Sequence, residues 1–285
     1  MSGLSVMVLC GPSARHVYFA NKLVSTGRVV AIVQEAGTHW TAKKVVTTLR
    51  PDNLFRKVWR WIRDRKRYAG GKEAAFFFGD SEPLLSPKPR LLTVANINDP
   101  AVARLADEVS PDLIAVFGTS LIRGDLLQRG RLGLINLHGG LSPHYRGADC
   151  TFWALYNGEP DQIGCTIHFI DRGIDTGQLI AHVRPAVRDG DDELTLFWRA
   201  VKDSTAAFME LLGRMEAGQR LGQSQREKGR LYRVRDRQWR HERDLVKELR
   251  RGLLRGVSLP PRVTWYAVEG TTAQSADIIS KPSHA

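Results

Sequence analysis

Leu132-Gly133-Leu134-Ile135-Asn136-Leu137-His138-Gly139-Gly140-Leu141-Ser142-Pro143 is the stretch on which the reading of this chain turns. An apolar run ends in two polar side chains two residues apart, and residues two apart on a strand project to the same face. Asn136 and His138 therefore leave the end of one strand together, and the Gly-Gly-Leu-Ser-Pro that follows opens a loop. Further on, Asp175 lies in Asp171-Arg172-Gly173-Ile174-Asp175-Thr176-Gly177, a stretch rich in turn formers. An amide, an imidazole and a carboxylate suit acyl transfer to an amine. The amide NH2 donates to a developing oxyanion, the imidazole handles a proton, and the carboxylate orients the imidazole or a water. Each has a plainer use as well: strand-end histidines are commonly structural, Asn can hold loop backbone, and Asp closes Asx-turns.

Outward from this stretch the chain alternates strand and helix. Residues 4–10 are an apolar run punctuated by Gly11-Pro12-Ser13. Val17, Ala20 and Val24 follow at helical spacing up to Gly27, and 29–33 reads as the next strand. This βαβ opening implies a parallel sheet with right-handed crossovers. No Gly-x-Gly-x-x-Gly follows the first strand, so a dinucleotide cofactor is not supported. Asp99-Pro100 opens a helix through Val102, Leu105 and Val109, with a capping acid and Pro in the first turn. Residues 113–117 form a short buried strand ended by Gly118. Doubly wound sheets bind ligands at the carboxyl ends of their strands, where Phe117-Gly118-Thr119 and His138-Gly139-Gly140 fall. A short helix is expected over 150–157, and strands over 163–170 and 178–183 bracket the Asp175 loop. His168 sits in the alternation of Cys165, Ile167 and Phe169 and is expected to be packed in its strand. A long helix through Phe197, Val201, Phe208 and Leu212 packs back on the sheet.

Charge is unevenly placed along the 285 residues, whose formal net charge is +12. Residues 43–72 hold 11 Lys/Arg against two acids, a net +9. Residues 214–262 hold 15 Lys/Arg against six acids, again a net +9. Such clusters attract phosphorylated substrates, nucleic acid or an anionic membrane face, although a solvated basic surface is the simplest account. The first cluster holds Trp40, Lys43 and Lys44, then Phe55, Val58, Trp59 and Ile62 at helical spacing, so a basic amphipathic helix is expected there. Core or lid packing is its ordinary role, with membrane-surface or partner contact the other. In the second cluster 231–234 looks like a strand and 241–254 a basic helix. No run approaches the about 18 apolar residues that span a bilayer. Three cysteines, Cys10, Cys150 and Cys165, show no paired spacing, so neither a disulfide framework nor a zinc site is indicated. A reducing cytoplasm is the expected compartment.

The residues also carry a resemblance. Asn136-Leu137-His138-Gly139-Gly140-Leu141-Ser142-Pro143-His144-Tyr145-Arg146-Gly147 resembles the Asn-x-His-x-Ser-Leu-Leu-Pro-x-x-Arg/Lys-Gly segment of the folate-dependent formyltransferases. That family includes glycinamide ribonucleotide transformylase, methionyl-tRNA formyltransferase and the sugar N-formyltransferases. The match continues through Gly164-Cys165-Thr166-Ile167-His168-Phe169 and Asp175-Thr176-Gly177-Gln178-Leu179-Ile180, in the family's order and at similar spacing. Gly139 and Gly140 depart from it, replacing the usual Ser-Leu. The resemblance implies that Asn136, His138 and Asp175 are catalytic. It implies that backbone groups of Val116, Phe117, Gly118, Thr119, Ser120 and Leu121, with the Asp171, Arg172 and Gly173 loop, line the pterin and formyl end of 10-formyltetrahydrofolate. Gly139, Gly140 and Arg146 would then face the acceptor, and no metal is required.

The expected fold is α/β: a doubly wound, mostly parallel, Rossmann-like sheet of the formyltransferase type, with a basic helical insertion and a small basic C-terminal appendage. Its expected division is a catalytic domain over 1–222 with the insertion at about 38–90, the appendage over 223–266 and a flexible tail over 267–285. The expected activity moves a formyl group from 10-formyltetrahydrofolate, as cosubstrate, to a primary amine, first among them a phosphorylated small molecule such as an amino-sugar nucleotide. Methionyl-tRNA, a hydroxyornithine-type amine and water, as in a 10-formyltetrahydrofolate hydrolase, are the alternative acceptors. A nucleic-acid-binding module is the non-enzymatic reading, less favoured because it rests on the charge clusters alone.

Overall fold

The computed structural model describes residues 3–37, 51–227 and 229–268, without the side chains of 51–57 and 66. Trp40, Lys43, Lys44 and the expected tail beyond 268 lie outside the described residues. The strands are β1 (Val6–Cys10), β2 (Val29–Glu35), β3 (Arg90–Val94), β4 (Leu113–Phe117), β5 (Leu134–His138), β6 (Tyr145–Gly147), β7 (Cys165–Phe169), β8 (Leu179–Arg184), β9 (Arg230–Tyr232) and β10 (Arg262–Trp265). The helices are α1 (Ala14–Val24), α2 (Pro51–Arg67), α3 (Lys72–Phe78), α4 (Pro100–Val109), α5 (Cys150–Tyr156), α6 (Glu193–Glu216) and α7 (Trp239–Arg251).

Among the described residues eight strands make one sheet, in the order β10-β8-β7-β5-β4-β1-β2-β3. From β3 to β5 the pairings are parallel; β7, β8 and β10 then add antiparallel. The sheet is therefore mostly parallel where the sequence alternates strand and helix. Both of its faces are covered, which explains why β1 reads Val-Met-Val-Leu-Cys rather than alternating with polar residues. Val6, Val8 and Cys10 pack with α1 and α6, whereas Met7 and Leu9 pack with α4. Asp99 caps α4 through Ala101 N, as Asp99-Pro100 predicts, and Asp192 caps α6 through Thr195 N.

The two basic regions are both tied into this frame. After α2 the insertion returns as α3, whose Phe77 is buried in the main core while Phe76 meets the Trp198 ring at 5.4 Å. The C-terminal segment adds β10 as the edge strand, antiparallel to β8, and β9 parallel to β6. Arg237, between β9 and α7, is wholly enclosed. Its guanidinium lies 3.7 Å from the centre of the Phe152 ring and donates to Asp149 Oδ1 at 2.9 Å, to both Glu193 oxygens at 2.9 Å and to Glu242 Oε1 at 2.6 Å. One cation thus gathers acids from the starts of α5, α6 and α7, where carboxylates also suit the helix dipoles. Without it Asp149 would lose this cation, and Glu193 and Glu242 would be left with Arg67 and Arg63. Arg237→Ala is expected to destabilise the protein by about 3–5 kcal/mol, read from the midpoint of urea unfolding. A loss below about 1 kcal/mol would place the network among weak surface pairs.

Candidate functional site

Strand β5 ends with Asn136 and His138, and β7 pairs antiparallel beside it in a register that sets Asn136 against His168. Residues directly opposite in such a pair share a face. His168 is therefore not simply packed in its strand, as the alternation suggests, but stands beside the site. Its Nδ1 lies 2.8 Å from the Phe169 carbonyl, which can only accept, so Nδ1 carries the proton. Nε2 is left as an acceptor and faces the Asn136 Nδ2 at 3.2 Å. That contact fixes which way the amide points. One N–H of Asn136 is held by His168 and the other is free to donate.

His138 is buried, with Nε2 3.2 Å from the Tyr145 carbonyl and 3.7 Å from the Cys150 thiol. A carbonyl oxygen again requires the proton on the facing nitrogen, so Nε2 donates and Nδ1 carries the lone pair. Nδ1 lies 3.5 Å from Asp175 Oδ2, and Asp175 Oδ1 lies 3.6 Å from His168 Nε2. The carboxylate accepts one firm hydrogen bond, from Gly147 N at 2.9 Å. Asn136, His138 and Asp175 are thus brought together, from β5 and from the loop between β7 and β8. Asp175 takes a left-handed backbone, φ 52°, the kind of local strain that surrounding contacts must hold in place.

The electrostatics assign a resting state. Burial lowers the His138 pKa, and Asp175 only partly offsets it. Burial works to raise the Asp175 carboxyl, but the positive charge that His138 and His168 carry when protonated, with the Gly147 N–H, outweighs it and holds the group well below the usual carboxylate range. Near pH 7 the pair is a neutral imidazole against an ionised carboxylate. A proton arriving at Nδ1 completes an ion pair without moving a side chain. The arrangement can therefore accept a proton and stabilise the cation that results, with an amide N–H close by for negative charge.

The other expected residues fall out differently. Val116 and Phe117 lie inside β4, buried, with the Phe117 carbonyl taken by Gly11 N, so they are sheet interior rather than slot lining. Ser120 N is bound by the buried Glu35, which also takes Ile97 N, and Asn98 holds Leu121 O. Leu121, Asp171 and Arg172 border a cavity of about 600 Å³, together with the apolar Ile122, Leu127 and Ile170. Asp171 closes a turn onto Gly173 N and Thr176 Oγ1. Gly139 and Gly140 permit close packing: a Cβ on the first would press on Phe197 and on the second would meet Cys150 and the Tyr145 carbonyl. Arg146 bonds the Gly229 carbonyl at 3.0 Å and reaches Ile174 O at 3.5 Å, bracing the Asp175 loop. At the carboxyl ends of β1 and β4, where the strand order reverses, the crevice is filled by His16, whose ring lies against Gly118 and Phe117. A side chain at Gly118, φ 77°, would collide with that ring.

Fold and site together define a doubly wound α/β protein with an Asn–His–Asp centre beyond the end of its fifth strand. Residues 28–212 match the model of the family described as formyl transferase, and the chain belongs to that family. Over 124 residues it is 32% identical to the methionyl-tRNA formyltransferase of Chlorobium chlorochromatii, a match covering 44% of this chain and only 39% of that protein. Among solved structures, a sugar N-formyltransferase from a Shewanella species aligns with a TM-score of 0.53 at 17% identity, over 86% of this chain and 87% of that one. A phosphoribosylglycinamide formyltransferase from Anaplasma phagocytophilum aligns with a TM-score of 0.52 at 16% identity, over 81% and 99%. At these identities the likeness is one of fold.

The proton placement is directly measurable. A folded imidazole whose pKa lies below about 6.5 adds stability that is complete above that pH and is lost as pH falls. Nitrogen NMR of the histidine rings should show His138 with its proton on Nε2 and titrating below about 6.5. Asp175→Asn removes the one carboxylate that raises this pKa and should move the titration lower still. An upward shift in that variant would refute the assignment.

Proposed function

We propose that the protein is an N-formyltransferase that moves the formyl group of 10-formyltetrahydrofolate to a primary amine on a phosphorylated small molecule, with an amino-sugar nucleotide as the leading acceptor. The observation that carries this reading is the cluster of Asn136, His138 and Asp175, with the Nδ1 lone pair of His138 3.5 Å from the Asp175 carboxylate. The 600 Å³ cavity at Leu121 and Asp171 supports the donor, being of a size for a flat heterocycle, with Ile122, Leu127 and Ile170 as apolar wall and Arg123, Asp125 and Gln128 among its polar groups. The donor supplies an activated formyl carbon. As the amine nitrogen bonds to that carbon, the free N–H of Asn136 donates to the oxygen that gains charge. His138 Nδ1 accepts the proton the amine sheds, and Asp175 holds the resulting imidazolium. When the carbon–nitrogen bond to the donor breaks, His138 returns a proton to the departing nitrogen, and the imidazole is neutral again.

Support for a phosphorylated acceptor comes from a second cleft, of about 370 Å³, lined by Arg15, Arg60, Arg63 and Arg67 against Ala148 and Asp149. Ala148 directly follows Gly147, whose N–H binds Asp175, so this cleft adjoins the catalytic loop. Arg15, Arg63 and Arg67 are paired with Glu73, Glu242 and Glu193. The Arg60 Nε is buried without a partner among the described residues, and is the group left to meet a ligand oxygen.

Mass spectrometry tests the activity, reading gain of one CO unit across amino-sugar nucleotides, a hydroxyornithine-type amine and methionyl-tRNA. His138→Ala should lower kcat by about 10²–10⁴ and Asn136→Ala by about 10²–10³, each with the melting temperature kept. Turnover retained in both variants defeats the mechanism, and equal formate release with and without amine makes the protein a hydrolase. Arg60→Ala should raise KM for a phosphorylated acceptor by about tenfold, the value of one charge-assisted hydrogen bond, and leave KM for its dephosphorylated form unchanged.

A further inference from the structure

Helix α2 is amphipathic in the reverse sense. A surface helix ordinarily buries its apolar stripe and turns its charges to water. Here Arg60, Arg63 and Arg67 line the cleft on the body side, with Arg63 and Arg67 bound to Glu242 and Glu193. Val58, Trp61 and Ile62 face outward, 47%, 60% and 44% exposed. With the exposed Arg65 they stand at positions i, i+3, i+4 and i+7, one stripe on one face. The Arg65 guanidinium lies 5.2 Å from the centre of the Trp61 ring, so the cation belongs to this stripe.

Helix α7, joined to α2 by the Arg63–Glu242 contact, repeats the pattern. Leu245 is buried, while Trp239 and Val246 are exposed among Arg240, Arg243 and Lys247, with Arg243 5.1 Å from the Trp239 ring centre. Two neighbouring helices thus each present a tryptophan, aliphatic side chains and cations to the outside, with Arg243 also in contact with Asp244. Exposed apolar stripes of this kind mark a surface that is covered in use.

We propose that the outer faces of α2 and α7 dock the protein on an anionic membrane surface. Tryptophan and aliphatic side chains gain by entering the boundary between headgroups and acyl chains, while Arg and Lys meet the lipid phosphates. The stretches that contain the two helices, 43–72 and 214–262, carry a net +9 each. Val58, Ile62 and Val246 decide between partners. Nucleic acid is gripped by cations and stacked rings and gives aliphatic side chains little to bury against, whereas a bilayer does. A second copy paired across a two-fold axis would bring the same cationic patch, with Arg65, Arg240 and Lys247, against itself.

The experiment is sedimentation of the full chain with phosphatidylcholine vesicles, with and without phosphatidylglycerol. Binding is expected only with phosphatidylglycerol, weakened by salt and accompanied by a blue shift of tryptophan emission. Trp61→Glu combined with Ile62→Glu should lower the partition coefficient by about tenfold, with circular dichroism and thermal melting unchanged. Trp239→Glu combined with Val246→Glu serves as an independent pair, so a folding defect in one helix leaves the other to decide. No binding to anionic vesicles at low salt, or equal binding by both paired variants, overturns the proposal. So does a Trp61-dependent tRNA gel shift in the absence of vesicle binding, or a dimer in sedimentation equilibrium that Trp61→Glu dissociates.

Discussion

The carboxylate of Asp175 is the group that the rest of the site is arranged around. It is largely buried, it sits on a residue with φ 52°, and it has one backbone N–H and two imidazole nitrogens for neighbours. A buried charge so placed is costly unless its surroundings answer it. Those surroundings come from four separate places in the chain: His138 from β5, His168 from β7, Gly147 from β6 and, through the loop backbone, Gln225. The side chain of Gln225 donates to the carbonyls of Asp175 and Gly177 and so holds the strained turn from below. With both rings neutral only the Gly147 N–H donates to the carboxylate, so the buried charge favours a cation on His138.

The basic C-terminal segment reaches the same point by another route. Strand β9 pairs with β6, and β6 supplies both the Tyr145 carbonyl that sets the His138 tautomer and the Gly147 N–H that binds Asp175. Gly229 lies so close to Pro143 that a side chain there would collide with its carbonyl. Arg146 then bonds Gly229 and reaches Ile174, linking the segment to the Asp175 loop. What composition marks as an Arg-rich attachment is, in the folded chain, a support for the loop that carries the chemistry. Its arginines divide accordingly: Arg237 is consumed in an interior network, while Arg240 and Arg243 face outward beside Trp239.

Helix α2 shows the limit of reading amphipathicity from one sequence. Periodicity groups Phe55, Val58, Trp59 and Ile62 along one side, of which Val58 and Ile62 are exposed and Trp59 is half-buried. It also makes that face the natural inward one, because burial of apolar area is the usual driving force. Inward here lie Glu193 and Glu242, whose charges need cations more than the core needs another apolar stripe. Ion pairing with acids far away in sequence turned the helix over, and no local pattern reports on that.

Much of the frame was determined locally. The unbroken apolar run of β1 requires a strand covered on both sides, Asp99-Pro100 starts a helix, and the step of two from Asn136 to His138 puts both side chains on one face. These follow from backbone geometry, which every chain obeys in the same way. The role of His168, the burial of Val116 and Phe117 within the ladder, and the filling of the β1–β4 crevice by His16 were decided only in the tertiary structure. Each depends on strand register or on which distant side chain arrives first at a shared space. Sequence spacing measures distance along the chain, whereas a hydrogen bond or a collision depends on distance through space.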